Sequence, residues 1–217
     1  MSDQKNNQPE KYLSEFRLYR FKSKVKTSPL EMYFDNLNLS ERLMSMIAIF
    51  EVIFRNRIDS VLTEKFGDNY LSNPKITIFN KHEKEKIKSA YRKAKSQPIR
   101  NKKSRALTEL TLGFWCNLVK KSRLWTSCVH NIHPQRKGIK FKTFKKNIGL
   151  IYEIRNKIAH HERILRKRPY NVPQLTSIII YETRNLVDNT DKQFLDDINQ
   201  FLESKTSEII EIIKKQK

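Results

Sequence analysis

Glycine is scarce, with four residues in a chain of 217. A glycine-rich loop that cradles phosphate through backbone N–H groups therefore has little to be built from. Cysteine is scarcer still, with Cys116 and Cys128 alone. These two thiols and five histidines show no zinc-finger spacing. Without a secretory signal the cysteines are expected as reduced thiols, not a disulfide. No run of about 18 apolar residues occurs, so no segment reads as a transmembrane helix. The opening MSDQKNNQPEKY is polar and carries Asp3 and Glu10, which is not the order of a signal peptide. The cytoplasm is the expected compartment. Alternating strand patterns are few as well. The largest deficit is negative charge: Asp+Glu 23 against Lys+Arg 44 gives a formal net charge of +21. Such a chain repels itself and attracts polyanions, nucleic acid first and an anionic membrane surface second.

What the sequence does have is helical periodicity. Leu, Ile, Lys, Glu and Asn dominate, which suits helices with charged outer faces. Residues 1–10 read as a disordered tail. KYLSEFRLYRFK predicts a short helix with Leu13, Phe16 and Phe21 as its apolar side. After Pro29 a long segment carries Leu43, Ile47, Phe50, Phe54, Ile58, Val61 and Leu62 at helical spacing and stops at Gly67. A break is expected near Asn36–Ser40, with Ser40 capping a new start. Residues 68–80 read as loop, NKHEKEKIKSAYRKAK as a charged helix and QPIRNKKSRA as a basic loop. ALTELTLGFWCNLVKKS reads as one core helix, with Leu107, Leu110, Phe114 and Leu118 on one side. IHPQRKGIKFKTFKK is a basic connection, after which a helix is expected from about Thr143 to Arg163. NVPQLTSIIIYETRNLV and DKQFLDDINQFLESKTSEIIEIIKK supply two more. The sum is an all-α chain, a helical bundle forming one domain over 11–217.

Chemistry concentrates in EIRNKIAHHERI, residues 153–164. At about 100° per residue, Asn156 and His160 lie about 40° apart on one helix face. Ile148, Ile151, Ile154 and Ile158 make the apolar stripe. Arg155 is about 140° from His160, near that stripe, but its long side chain can carry the guanidinium to the rim. One helix thus offers one arginine and one histidine, and a two-fold dimer brings two of each into one groove. That set fits cleavage of RNA, which carries its own nucleophile in the 2′-OH. The reaction needs proton transfer near neutral pH, which histidine supplies. It also needs positive charge on the phosphoryl oxygens, which the arginine fork supplies. Asn156 could orient the imidazole or donate to the phosphate. A solvated polar face is the plain alternative in so basic a chain. A metal site would need an i,i+4 partner or remote acids for the histidines, and neither is visible. No metal and no cofactor are expected.

Two other stretches imitate this one. IFRNRID (53–59) repeats the Arg-Asn pair as Arg55-Asn56, but Ser60 stands where the histidine would be. RLWTSCVH sets Arg123 before His130, yet Leu124, Trp125 and Val129 point to packing.

RNKIAH fits the Arg-Asn-x3-His form of the motif of HEPN ribonucleases. IYEIRNKIAHHERI resembles the C-terminal motif of their abortive-infection (Abi-like) branch. IFEVIFRNRID (49–59) and LTLGFWCNL (110–118) resemble two further segments of that branch, in the same order. The resemblance implies a HEPN-like helical bundle with additional N- and C-terminal helices, usually dimeric with a composite site at the interface. It implies metal-independent endoribonuclease activity of toxin type in phage defence, in some cases restrained by a small structured RNA. Carried over by position, Arg155, Asn156 and His160 match the active motif, and Glu51, Arg55 and Asn56 match the earlier helix, which often lies beside it. Phe54, Leu112 and Ile158 depart from the branch's usual residues, at none of its polar positions. Glu51 and Arg55 are also i,i+4 in the favourable order for an ordinary ion pair.

The expected RNA partner has three basic clusters to meet: RNKKSR (Arg100, Lys102, Lys103, Arg105), KFKTFKK (Lys140, Lys142, Lys145, Lys146) and RILRKR (Arg163, Arg166, Lys167, Arg168). Lys157 and His161 join them as RNA-facing candidates. At least one cluster should track a backbone and steepen the salt dependence of binding. Trp125 and Tyr91 are stacking candidates, whereas GFWC reads as core. Two alternatives to an RNase remain open at this point: a non-catalytic RNA-binding protein that holds a structured RNA, and a DNA-binding helical regulator, although no helix-turn-helix signal precedes the charged helix.

Overall fold

The computed structural model describes residues 9–22, 28–95, 102–134, 139–164 and 171–214. All regular structure among them is helical. In chain order the helices are α1 (Glu10–Leu13), α2 (Glu15–Tyr19), α3 (Pro29–Phe66), α4 (Lys81–Lys95), α5 (Lys102–Glu109), α6 (Leu112–Val119), α7 (Ser122–Ser127), a 3-10 turn (Val129–Ile132), α8 (Phe141–Ala159), α9 (Val172–Leu186) and α10 (Lys192–Lys214). No described helix is long and apolar enough to cross a membrane.

The 38-residue α3 is the axis on which the rest is built. It starts at a capping box: Ser28 Oγ accepts from Glu31 N at 3.1 Å, and Ser28 N donates to Glu31 Oε2 at 3.0 Å. Pro29 fills the first helical position, where no N–H is needed. Leu43, Ile47, Phe50, Phe54, Ile58, Val61 and Leu62 are all buried, as their spacing predicts. Each such side chain contributes roughly 1.5–3 kcal/mol by leaving water. Gly67 ends the helix at φ +83°, a conformation that glycine adopts without strain.

The expected break at Asn36–Ser40 does not occur. Both residues are buried inside the continuous helix, where Ser40 Oγ donates back to the Asn36 carbonyl at 2.6 Å. Four other boundaries also move. The tail expected over 1–10 ends before Glu10, where α1 begins; residues 1–8 lie outside the described residues. The helix expected over KYLSEFRLYRFK splits at Ser14, which stands at φ +61°. The supposed loop RNKKSR is helical from Lys102 onward. The single core helix divides at Thr111, whose extended backbone turns α6 into the interior.

The main core gathers α3, α6, α8, α9 and α10 around Phe50, Phe54, Phe114, Trp115 and Phe144. GFWC is core as expected, with Trp115 and Cys116 both fully buried. Burial pushes the Cys116 thiol up to about 12, with Lys120 opposing and Glu51 adding to the rise. Trp125 is buried against Phe141 and Phe144, at ring-centroid distances of 5.2 and 4.8 Å, so it offers no stacking surface. A second, smaller cluster of Leu18, Phe21, Met32 and Tyr33 joins α2 to the first turns of α3.

Candidate functional site: a basic cleft where the motif helix ends

Helix α8 buries Phe144, Ile148, Ile151 and Ile158 along one stripe, with Ile154 half-buried. It starts at Phe141 and stops at Ala159, four residues short of the expected end at Arg163. The stop is a Schellman turn. His161 N donates to the Ile158 carbonyl at 3.0 Å and Glu162 N to the Lys157 carbonyl at 2.8 Å. His161 occupies the left-handed position at φ +53° that glycine usually fills. His160 is therefore the C-cap, still tied to the motif, since its N–H donates to the Asn156 carbonyl at 3.0 Å. Both histidines are exposed.

Buried Asn36 fixes the chain beyond the turn. Its Nδ2 donates to the Glu162 carbonyl at 3.1 Å, and its Oδ1 accepts from Ile164 N at 2.7 Å. One amide side chain inside α3 thus satisfies two backbone groups of the segment that follows His160 and His161. Arg163 then reaches the other way. It donates through Nη1 to the carbonyls of Arg20 at 2.9 Å and Lys22 at 3.3 Å, and it lies over the Phe21 ring at 5.9 Å. The N-terminal helices are held against the end of α8 by these contacts.

Between them opens a cleft of about 120 Å³. His160, His161 and Arg163 form one wall, Phe16, Arg17 and Arg20 the other, and Glu162 adds a carboxylate. Cationic groups on both sides make it an anion-receptive feature of the right size for a phosphate group. Arg17, Arg20 and Phe16 had not been expected here. The signal that could have found them is the repeat Phe16-Arg17, Tyr19-Arg20, aromatic and arginine side by side at helical spacing.

Arg155 and Asn156 do not line this cleft. Both are half-buried on α8. Arg155 Nε is shut off from solvent without a hydrogen-bond partner. The earlier Arg-Asn pair is farther off still. Phe54 of α3 meets Phe144 of α8, whereas Asn36 meets Glu162 and Ile164, so the two helices run antiparallel. Arg55 and Asn56 then stand level with the start of α8, roughly 16 Å along its axis from Arg155 at 1.5 Å per residue. Arg55 Nε contacts Asn56 Oδ1 at 3.4 Å, and no ion pair forms between Glu51 and Arg55.

The basic clusters divide as well. Lys103 is committed to the fold: its Nζ lies 3.0 Å from Asp59, donates to Thr63 at 2.7 Å and covers the Tyr70 ring. Arg105 pairs with Glu109 and Lys157 with Glu153, each within its own helix. Lys102 is exposed, as are Lys140, Lys142, Lys145 and Lys146, which the structure places at the start of α8 and not in a connection. Arg100, Arg166, Lys167 and Arg168 lie outside the described residues. Tyr91 is half-buried. Among the described residues no three His, Cys, Asp or Glu side chains gather in a way that could hold a metal ion. No family model, curated protein or solved structure matches the chain.

Proposed function

We propose that the protein is a metal-independent endoribonuclease of the abortive-infection HEPN type. It acts as a toxin-like cytoplasmic defence protein, and a cognate structured RNA restrains it. The observation that supports this most is the position of His160. It is exposed at the rim of a cleft bearing Arg17, Arg20 and Arg163, at the end of the helix that carries Arg155 and Asn156. In this reading a phosphate of the RNA backbone enters the cleft. An imidazole takes the proton from the 2′-oxygen as that oxygen attacks phosphorus. The bond from phosphorus to the 5′-oxygen breaks, and a second imidazole gives that oxygen a proton. The products are a 2′,3′-cyclic phosphate and a 5′-hydroxyl. Proton transfer of this kind is typically worth ~10²–10⁴-fold. Arg155 spreads charge over the phosphoryl oxygens, and Asn156 positions the phosphate or the ring. Two copies of the chain, facing each other, supply the two imidazoles and bring Arg155 of one to the cleft of the other.

One observation favours a second reading. Arg155 and Asn156 stand outside the cleft that His160 lines in a single copy. A protein that grips a structured RNA without cutting it needs no closer approach. Incubating pure protein with single-stranded RNA in EDTA separates the two. The nuclease reading expects fragments with cyclic phosphate ends, and a loss of at least ~10²-fold in His160→Ala. RNA bound tightly and left intact by the wild-type protein would establish the binding reading instead.

A further inference from the structure

Helix α2 is too short to hide its residues, and with the turn at Arg20 and Phe21 it sorts them into three stripes. Residues three apart on a helix share a face, about 60° from each other. Leu18 and Phe21 form the buried pair, closed over by Met32 and Tyr33. Phe21 meets the Tyr33 ring edge-on at 5.2 Å. Arg17 and Arg20 form the second stripe, on the cleft wall. Phe16 and Tyr19 form the third, and they are 74% and 63% exposed. Tyr12 of α1, close by in the chain, is 83% exposed. Large aromatic side chains left in water side by side mark a contact surface. Here the surface borders arginines and two histidines, and Phe16 itself lines the cleft. Lys22 lies over the Tyr19 ring at 5.0 Å, adding a cation to the same edge.

We propose that α2 is a stacking platform for an unpaired RNA strand, on which bases next to the phosphate held at His160 lie against Phe16 and Tyr19. The inference rests on the RNA reading above and adds to it the kind of RNA. Charge complementarity selects the occupant: a strand with a phosphate at every residue meets Arg17, Arg20 and Arg163 on the two walls of the cleft while its bases turn toward the rings. A duplex keeps its bases stacked inside and has no faces to offer. Stacking reads every base, so the platform is indifferent to sequence. The turn at Ser14 and the hold of Arg163 on the Arg20 and Lys22 carbonyls keep it beside the cleft.

The test uses the unaltered full-length protein as parent, and fluorescence anisotropy with a labelled 12-nucleotide single strand and its duplex, both 2′-O-methylated so that no 2′-OH can attack and the RNA stays intact. Adding Phe16→Ala or Tyr19→Ala should weaken single-strand binding roughly 5- to 150-fold each. The salt slope should not change, because no charge is removed. Phe16→Trp should restore binding. Both residues are exposed, so the variants should melt with the parent. The platform is overturned if the Phe16→Ala, Tyr19→Ala double variant binds the single strand as the parent does, or if the duplex binds as well as the strand. It is overturned equally if that variant alters only the oligomeric state in sedimentation, which would make the surface an interface between copies of the chain. Failure of the parent to bind any RNA would remove the wider reading together with the platform.

Discussion

His161 holds a backbone conformation that an L side chain adopts at a cost of about 1–2 kcal/mol. Glycine has no such cost there, although it loses more freedom on folding. The balance predicts that His161→Gly raises stability by about 0.5–1 kcal/mol, visible as a melting point higher by roughly 1–3 °C. A lower melting point would mean that the imidazole makes a contact worth more than the strain. The same residue explains why the end of α8 was not legible. A helix stop is usually marked by glycine at this position, and here a histidine occupies it, so the pattern reads on to Arg163. Asn36 was hidden for a related reason. A short amide in a helical run looks like a cap, and only the arrival of residues 162–164 from far along the chain shows that it clamps another segment. What was legible at this scale is the polarity of the motif: His160 is exposed and Arg155 half-buried near the apolar stripe.

At the scale of elements, the contact between α6 and α8 explains one of the four glycines. A Cβ on Gly113 would stand 2.8 Å from the Tyr152 hydroxyl and 3.0 Å from its ring. Gly113→Ala gains helix propensity but must displace that ring, and overpacking typically costs 1–3 kcal/mol. The expected result is a net loss of about 1 kcal/mol in urea unfolding. In a Tyr152→Ala background the obstruction is gone, and the same substitution should stabilise by about 0.5–1 kcal/mol. Equal effects in both backgrounds would remove this contact as the reason for the glycine. The stripes of α3, α8, α9 and α10 were legible because burial imposes the helical period directly on the sequence. The short elements were not. In α2 and the turn after it the apolar residues serve two masters, with Leu18 and Phe21 buried and Phe16 in solvent, and periodicity alone cannot assign them. The Glu51–Arg55 pair shows the converse: spacing permits an ion pair, but Arg55 turns to the adjacent Asn56 instead.

For the whole molecule, a net charge of +21 gives a long-range pull on polyanions but does not say which cations meet them. The structure sorts them. Lys142, Lys145 and Lys146 are exposed on the first turns of α8, whereas Lys103 is held by Asp59 and Thr63. If the α8 lysines track an RNA backbone, replacing all three with Gln lowers the slope of log K against log salt by roughly 2. Lys103→Gln should leave that slope alone and reduce stability, because Asp59 loses its cation and keeps only the Tyr70 hydroxyl. A slope unmoved by the triple replacement would take the start of α8 off the RNA path. The last consequence concerns shape. Thirty-eight residues of α3 extend ~57 Å at 1.5 Å each. A globule of 217 residues has a radius of gyration of roughly 17 Å, or ~44 Å across as a sphere. The rod is longer than that sphere is wide, and the main core accordingly buries it only from Leu39 to Leu62. Its first turns, at Met32 and Tyr33, have a small cluster of their own with Leu18 and Phe21. His160 and His161 stand exposed beside that smaller cluster, tied to it through Arg163 and Phe21, so a long polymer reaching them midway along its length has no end to thread.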